Sequence, residues 1–373
     1  MRGLLLAGVL FCAPGFAAVQ AASNAPEAMA ASALADARRV VDAAAQPAAA
    51  WTGPRTGPRA EPGKQLAVVN EDLRNGGILS VNDGVLEAAR VVGWKVKVYD
   101  SGGTAEGRRK MLAQALDSHP DGLIVVGGDA RGLTPWLQPF ADRHIPVVGW
   151  HVAAKAGPVP GTPVAMNVST DPLDVARVTA LAAIVQSGGH AGVVIFTDSS
   201  FELPTAKADA MAAVVRACRG CTLLETRDIA ISRNAELMPA ATSALLARHG
   251  KHWTHALAIN DIYFDYAAPV LTQAGLPNDG LSMLSAGDGS ESAFLRIRAG
   301  TFQTATVAEP LNLHGWQLVD ELNRLFAGER VTGYIYPVHL VTADNIAADG
   351  GDRLHFDPAN GYRDVYRRIW KRP

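Results

Sequence analysis

Cysteine is almost missing from this chain: Cys12, Cys218 and Cys221 are all there is among 373 residues. A tetrahedral structural zinc needs four ligands, and Cys218-x-x-Cys221 has no second pair to join it. Long apolar runs are missing as well. Beyond residue 22 no run reaches the ~18 apolar residues of a membrane helix. Excess charge is missing: the net charge is −2, so no basic field points to nucleic acid. Familiar catalytic and phosphate-binding signatures are missing too. There is no G-x-G-x-x-G after the first strand, no P-loop lysine, no G-x-S-x-G elbow and no H-E-x-x-H. The carboxylates are scattered and single out no acid/base pair. An enzyme reading is therefore set aside, and neither a metal nor a cofactor is called for. The one close histidine pair, His252 and His255, flanks a strand start and reads as surface.

What is present begins with an export signal. Arg2 is a short positive region, Leu4 to Phe11 an apolar stretch too short to span a bilayer, and Val19-Gln20-Ala21 a cleavage site. Residues 1–22 therefore read as a signal peptide, which places the mature protein in the periplasm. Phe11 is too bulky for lipoprotein processing at Cys12. In an oxidising compartment Cys218 and Cys221 read as a local disulfide, ahead of a redox-active pair. Residues 23–63 are rich in Ala and Pro and read as an N-terminal arm, on the surface or leading away from it, with one helix over 27–45.

From residue 64 a strand–helix alternation takes over. Leu66–Val69 is a strand, Val81, Val85, Ala88, Ala89 and Val92 recur at helical spacing, and Gly93 sits at the C-cap. Val96 and Val98 then alternate with lysines as a second strand, which completes a βαβ unit with a right-handed crossover. The unit repeats to give about eleven strands, too many for one comfortable sheet. Two series fit two doubly wound parallel-sheet lobes, an α/β fold. The expected N-terminal lobe is 64–168 with 310–333, and the C-terminal lobe is 169–309 with 334–346. Three crossings form the hinge, and 347–373 is an irregular tail with a final helix near Arg363–Trp370.

Polar and aromatic residues collect at the carboxyl ends of these strands, where open parallel sheets bind ligands. Asp72 and Asn75 follow the first strand, Trp150 and His151 the fourth, and Phe201 the first strand of the second series. Asn260, Asp288 and Glu309 follow three more. Each alone can be a cap or turn residue; together they describe a cleft suited to a polar small molecule. Trp150 has two readings, as hinge core or as a ring stacked on the ligand beside a hydrogen-bonding His151.

Several stretches carry a family resemblance: Leu66–Asn75, Asn82-Asp83-Gly84, Ile259-Asn260-Asp261, SAGDGS at 285–290 and TVAEPLNLHG at 306–315. With them, 64–346 resembles the type I periplasmic solute-binding proteins of ABC transporters, in the ribose-binding, sugar-type branch. The resemblance implies ligand hydrogen bonds at Asn75, Asn260, Asp288 and Glu309. It also shows departures. The aromatic pair of the first loop is replaced by Gly77 and Ile78, and an Asp-Arg pair by Trp150-His151. The ligand-gripping arginine aligns with Thr205. A bidentate arginine has no replacement among Thr, His and Trp, so a simple aldopentose or aldohexose is not implied. The expectation is a monomeric exported binding protein for a small polar ligand, a sugar, polyol or related compound. It would deliver that ligand to a permease and ATPase; the alternative is a sensing module for a chemoreceptor or histidine kinase.

Overall fold

The first strand, β1 (Gln65–Asn70), is apolar on both faces, and all but its first residue are buried. It lies between β2 (Lys95–Asp100) and β3 (Gly122–Val126), both parallel to it. These belong to a computed structural model that describes residues 31–371; the expected signal peptide lies outside the described residues. Outward from β3 come β4 (Val147–Trp150) and β5 (Val164–Val168), which complete a parallel sheet of order β2-β1-β3-β4-β5. Residues 31–44 form α1. Helices α2 (Gly76–Val92), α3 (Ala105–Asp117) and α4 (Ala130–Asp142) connect the strands. The expected apolar face of α2 is the buried one, Gly93 closes it at φ 76°, and Asn75 caps its start. Each of its fully buried valines contributes about 1.5–3 kcal/mol.

The second sheet has order β11-β10-β9-β8-β6-β7. Its strands are β6 (Gly192–Thr197), β7 (Thr222–Asp228), β8 (His255–Ala258), β9 (Ser282–Ser285), β10 (Gln303–Val307) and β11 (Leu340–Thr342). Between them run α5 (Pro172–Gln186), α6 (Glu202–Ala217), α7 (Asn234–His249), α8 (Ile262–Gln273) and α9 (Glu291–Ala299). The chain leaves this lobe after β10, forms α10 (Leu311–Phe326) against α2, and returns. The return begins at the hinge, where β10 ends, so β11 runs outward from it and pairs antiparallel with β10. The sequence pattern contained no sign of that reversal.

Two regions depart from expectation. The arm lies on the surface, as one of its alternatives had it, but it is anchored in both lobes. Val40, Val41 and Ala44 of α1 pack on the core of the second lobe, while Trp51 and Ala60 are buried in the core of the first. The tail is not separate either. Helix α11 (Tyr362–Trp370) stacks Trp370 on Trp316 of α10 at 5.4 Å, and Trp51 inserts against Tyr334 and Tyr366. Backbone carbonyls of the arm accept from α10: Thr56 from Arg324 and Pro58 from Asn323. Thus α10 is covered on every side, which is why it tolerates so few exposed residues. Cys218 and Cys221 are joined, with their Cα atoms 5.3 Å apart. His255 is buried, not on the surface, because it begins the central strand β8; burial holds its pKa down to about 4.

Candidate functional site

The carboxyl ends of both sheets face one cleft. The lobes meet across it. A Cβ at Gly77 of α2 would overlap the Asp288 carboxylate of the second lobe, and one at Gly76 would press on Ser290. Arg108 of α3 lies over the Phe201 ring, 5.4 Å from its centroid. Gly77 therefore explains one departure from the sugar-type pattern: with Asp288 this close, no aromatic side chain fits there.

Of the eight expected ligand residues, seven line the cleft: Asp72, Asn75, Trp150, His151, Phe201, Asn260 and Asp288. Glu309 does not. It is fully buried behind His151, whose Nε2 lies 2.9 Å from Glu309 Oε1, so its influence passes through that ring. The backbone N–H of Thr170 donates to Glu309 Oε2 at 3.2 Å, which ties the carboxylate to the crossing after β5. Asn260 donates to Asp288 Oδ2 at 2.7 Å and accepts from the Ile262 N–H. Asn75 has the bland role as well as the cleft position: its Oδ1 accepts from the Gly77 N–H and caps α2.

Trp150 and His151 combine the two readings made of them. The chain turns left-handed at His151, φ 53°, immediately after β4. That turn lays the imidazole flat on the indole, centroids 3.6 Å apart and planes 11° off parallel. Trp150 is core, its N–H donating to His314 Nδ1 at 3.1 Å. His151 covers one indole face, and its own ring is the one set between Trp150 and the carboxylates of Asp288 and Glu309. A non-glycine residue in this backbone region costs on the order of 1 kcal/mol or more, and such costs concentrate at functional sites.

Two cleft residues escaped the expected set. Lys207 of α6 is 2 % exposed; it donates to the Ala286 carbonyl at 2.8 Å and lies 4.0 Å from Glu309. It supplies the buried cation that the Thr205 alignment left without a replacement; Thr205 itself is exposed and bonds the Phe201 carbonyl. A signal existed: Lys207 interrupts the buried stripe Leu203, Ala208, Met211, Val215. The other is Glu71, which pairs with Arg108. Its Oε2 is buried with no hydrogen-bond partner, and burial raises its pKa to about 7 against the opposing pull of Arg108.

The electrostatics separate the two deeper carboxylates. Burial pushes Asp288 up to about 6 despite His151 and Lys207. Burial acts on Glu309 in the same direction, yet His151, Lys207 and His314 together hold its pKa well below the usual carboxylate range. His314 is kept neutral by burial, pKa about 4. His151, Asp288 and Glu309 place one ligand-type atom each within 4.8 Å of one another. The Lys207 ammonium beside Glu309 already supplies positive charge there.

Two αβ lobes with a polar cleft between their strand ends define a type I periplasmic-binding fold. The chain belongs to the periplasmic binding protein domain family, whose model matches residues 66–330. No curated protein matches it in sequence. Solved structures share the fold. One is an ABC sugar transporter subunit from Rhodobacter sphaeroides, 20% identical over 76% of this chain and 99% of that one, TM-score 0.65. Another is a 5-methylthioribose transporter solute-binding protein from Thermotoga lettingae, 18% identical over 77% and 89%, TM-score 0.67. A third is an Agrobacterium vitis solute-binding protein bound with α-D-tagatopyranose, 14% identical over 79% and 99%, TM-score 0.70.

Proposed function

We propose that the protein is an exported solute-binding protein that captures a sugar, polyol or related compound between its lobes. It would deliver this ligand to an ABC-type permease with its ATPase, without chemistry on the ligand. The observation that carries the reading is the cleft itself. His151 and Asn75 of one lobe and Asp288, Asn260 and Lys207 of the other converge on it, so a bound solute contacts both lobes and favours the closed arrangement. Neighbours of the same fold solved with bound tagatopyranose and 5-methylthioribose support the ligand class. On this reading Asn75, His151, Lys207, Asn260 and Asp288 hydrogen-bond the ligand, Phe201 covers it, and Glu309 sets the His151 ring. The lobes would be 64–168 with 310–333 and 169–309 with 334–346.

A thermal-shift screen over sugars, polyols and small polar metabolites tests this. A true ligand raises the melting temperature because it adds RT ln(1 + [L]/Kd) to the stability of the folded form. A hit with no turnover of the compound supports the reading. Conversion of the hit to product, or hits confined to compounds without hydroxyl groups, would overturn it.

A further inference from the structure

Some of the polar groups of the cleft are occupied with one another. Both Asp72 oxygens accept from Arg74, at 2.9 and 2.5 Å. Both ends of the Asn260 amide are used, on Asp288 and on the Ile262 N–H. Asn75 Oδ1 is used on Gly77, and His151 Nε2 faces Glu309. Left without a protein partner among the described residues are Asn75 Nδ2, the second Asn260 N–H, Asp288 Oδ1, the buried Glu71 Oε2, and those Lys207 N–H groups not directed at Ala286, all at the polar ends of the cleft.

Between these polar ends the wall is aliphatic. Ile78 enters from the first turn of α2, Leu203 and Pro204 from the first turn of α6, Ile231 from a short 3-10 turn, and Ile259 from the end of β8. A fully hydroxylated sugar enclosed here would turn hydroxyls onto carbon. Each such hydroxyl gives up its water hydrogen bonds and finds no partner. A hydrogen, methyl or thioether at the same position gains from burial instead.

We propose that the ligand is a deoxy, alkyl-substituted or thioether-substituted sugar or polyol, whose apolar part lies against Ile78, Leu203, Pro204, Ile231 and Ile259. This rests on the solute-binding reading above and narrows it. Glu71 then accepts from one remaining hydroxyl, and Lys207 donates to another oxygen.

Calorimetric titration of the purified protein with matched pairs decides the matter. The pairs are D-ribose against its deoxy and methylthio derivatives at the terminal carbon, D-galactose against D-fucose, and L-mannose against L-rhamnose. The expected result is that the substituted member binds at least about tenfold tighter in a pair that binds, the range seen for one apolar group in an apolar pocket. Replacing the wall by Ile231→Ser should shrink that ratio severalfold while circular dichroism and melting temperature stay unchanged. A hydroxylated parent that binds as tightly as its substituted partner, or a ratio that Ile231→Ser leaves intact, overturns this inference alone. Absence of binding by every member of every pair overturns it together with the sugar-type reading on which it rests.

Discussion

At the scale of single residues, Gly77 decides whether the lobes can meet. It sits in the first turn of α2 with the Asp288 carboxylate against its Cα. Gly77→Ala is compatible with the helix and even favourable to it, by about 1 kcal/mol. The added methyl nevertheless keeps Asp288 away. The expected outcome is ligand affinity reduced at least about tenfold with no fall in the melting temperature of the unliganded protein, which titration and calorimetry check together; a cost of that size needs only ~1.4 kcal/mol. His151 and Trp150 separate in the same way. His151→Ala removes a cleft side chain and should weaken binding by a factor on the order of ten, through a lost buried hydrogen bond. Of the two readings of Trp150, the indole, 1 % exposed and bonded to His314, follows the core one, so Trp150→Ala does not simply weaken binding. It should instead lower stability by about 3–5 kcal/mol, read as a shift of the denaturation midpoint.

At the scale of elements, the arm and the tail are the parts that composition described least well. Beyond the helix expected over 27–45, residues 23–63 carry no sheet pattern, so nothing in that composition indicates what they cover. Trp51 is buried among Tyr334, Tyr362 and Tyr366, three residues far away in sequence. Trp51→Ala should cost about 3 kcal/mol, the low end for a buried tryptophan, and denaturant unfolding will measure it. An unchanged midpoint would mean that the arm does not hold this cluster in solution. The same segment joins α1 on the second lobe to the tryptophan cluster on the first, so it spans the back of the hinge.

At the scale of the whole molecule, buried carboxylates make stability depend on pH. Glu321 of α10 accepts from the Thr332 backbone N–H at 2.8 Å, and burial raises its pKa from 4.5 to about 7. The folded state therefore holds a proton that the unfolded chain releases above pH 4.5. This contribution is fully present below about pH 4.5 and is lost as pH rises through 7. A Gln at this position has no such proton. The melting-temperature advantage of the wild type over Glu321→Gln should thus be greatest near pH 4.5 and shrink steadily toward pH 7. An advantage that grows with pH across that interval would show the Glu321 carboxyl to be ionised in the folded protein.

Much of the architecture was legible in the chain, because strand and helix periods are local properties. β1 and β2 fall within two residues of where Leu66–Val69 and Val96–Val98 place them, and α2 buries the face its spacing marks. The strand-end rule then brought seven of eight expected residues to one cleft, since a parallel sheet presents its loops on one edge. Only the tertiary structure decided the rest. It set Glu309 behind His151, brought Lys207 in from a helix face, reversed β11, and folded arm and tail onto α10. These outcomes depend on which distant surfaces pack together. Sequence periodicity reports which side of an element is apolar, but not which partner will cover it.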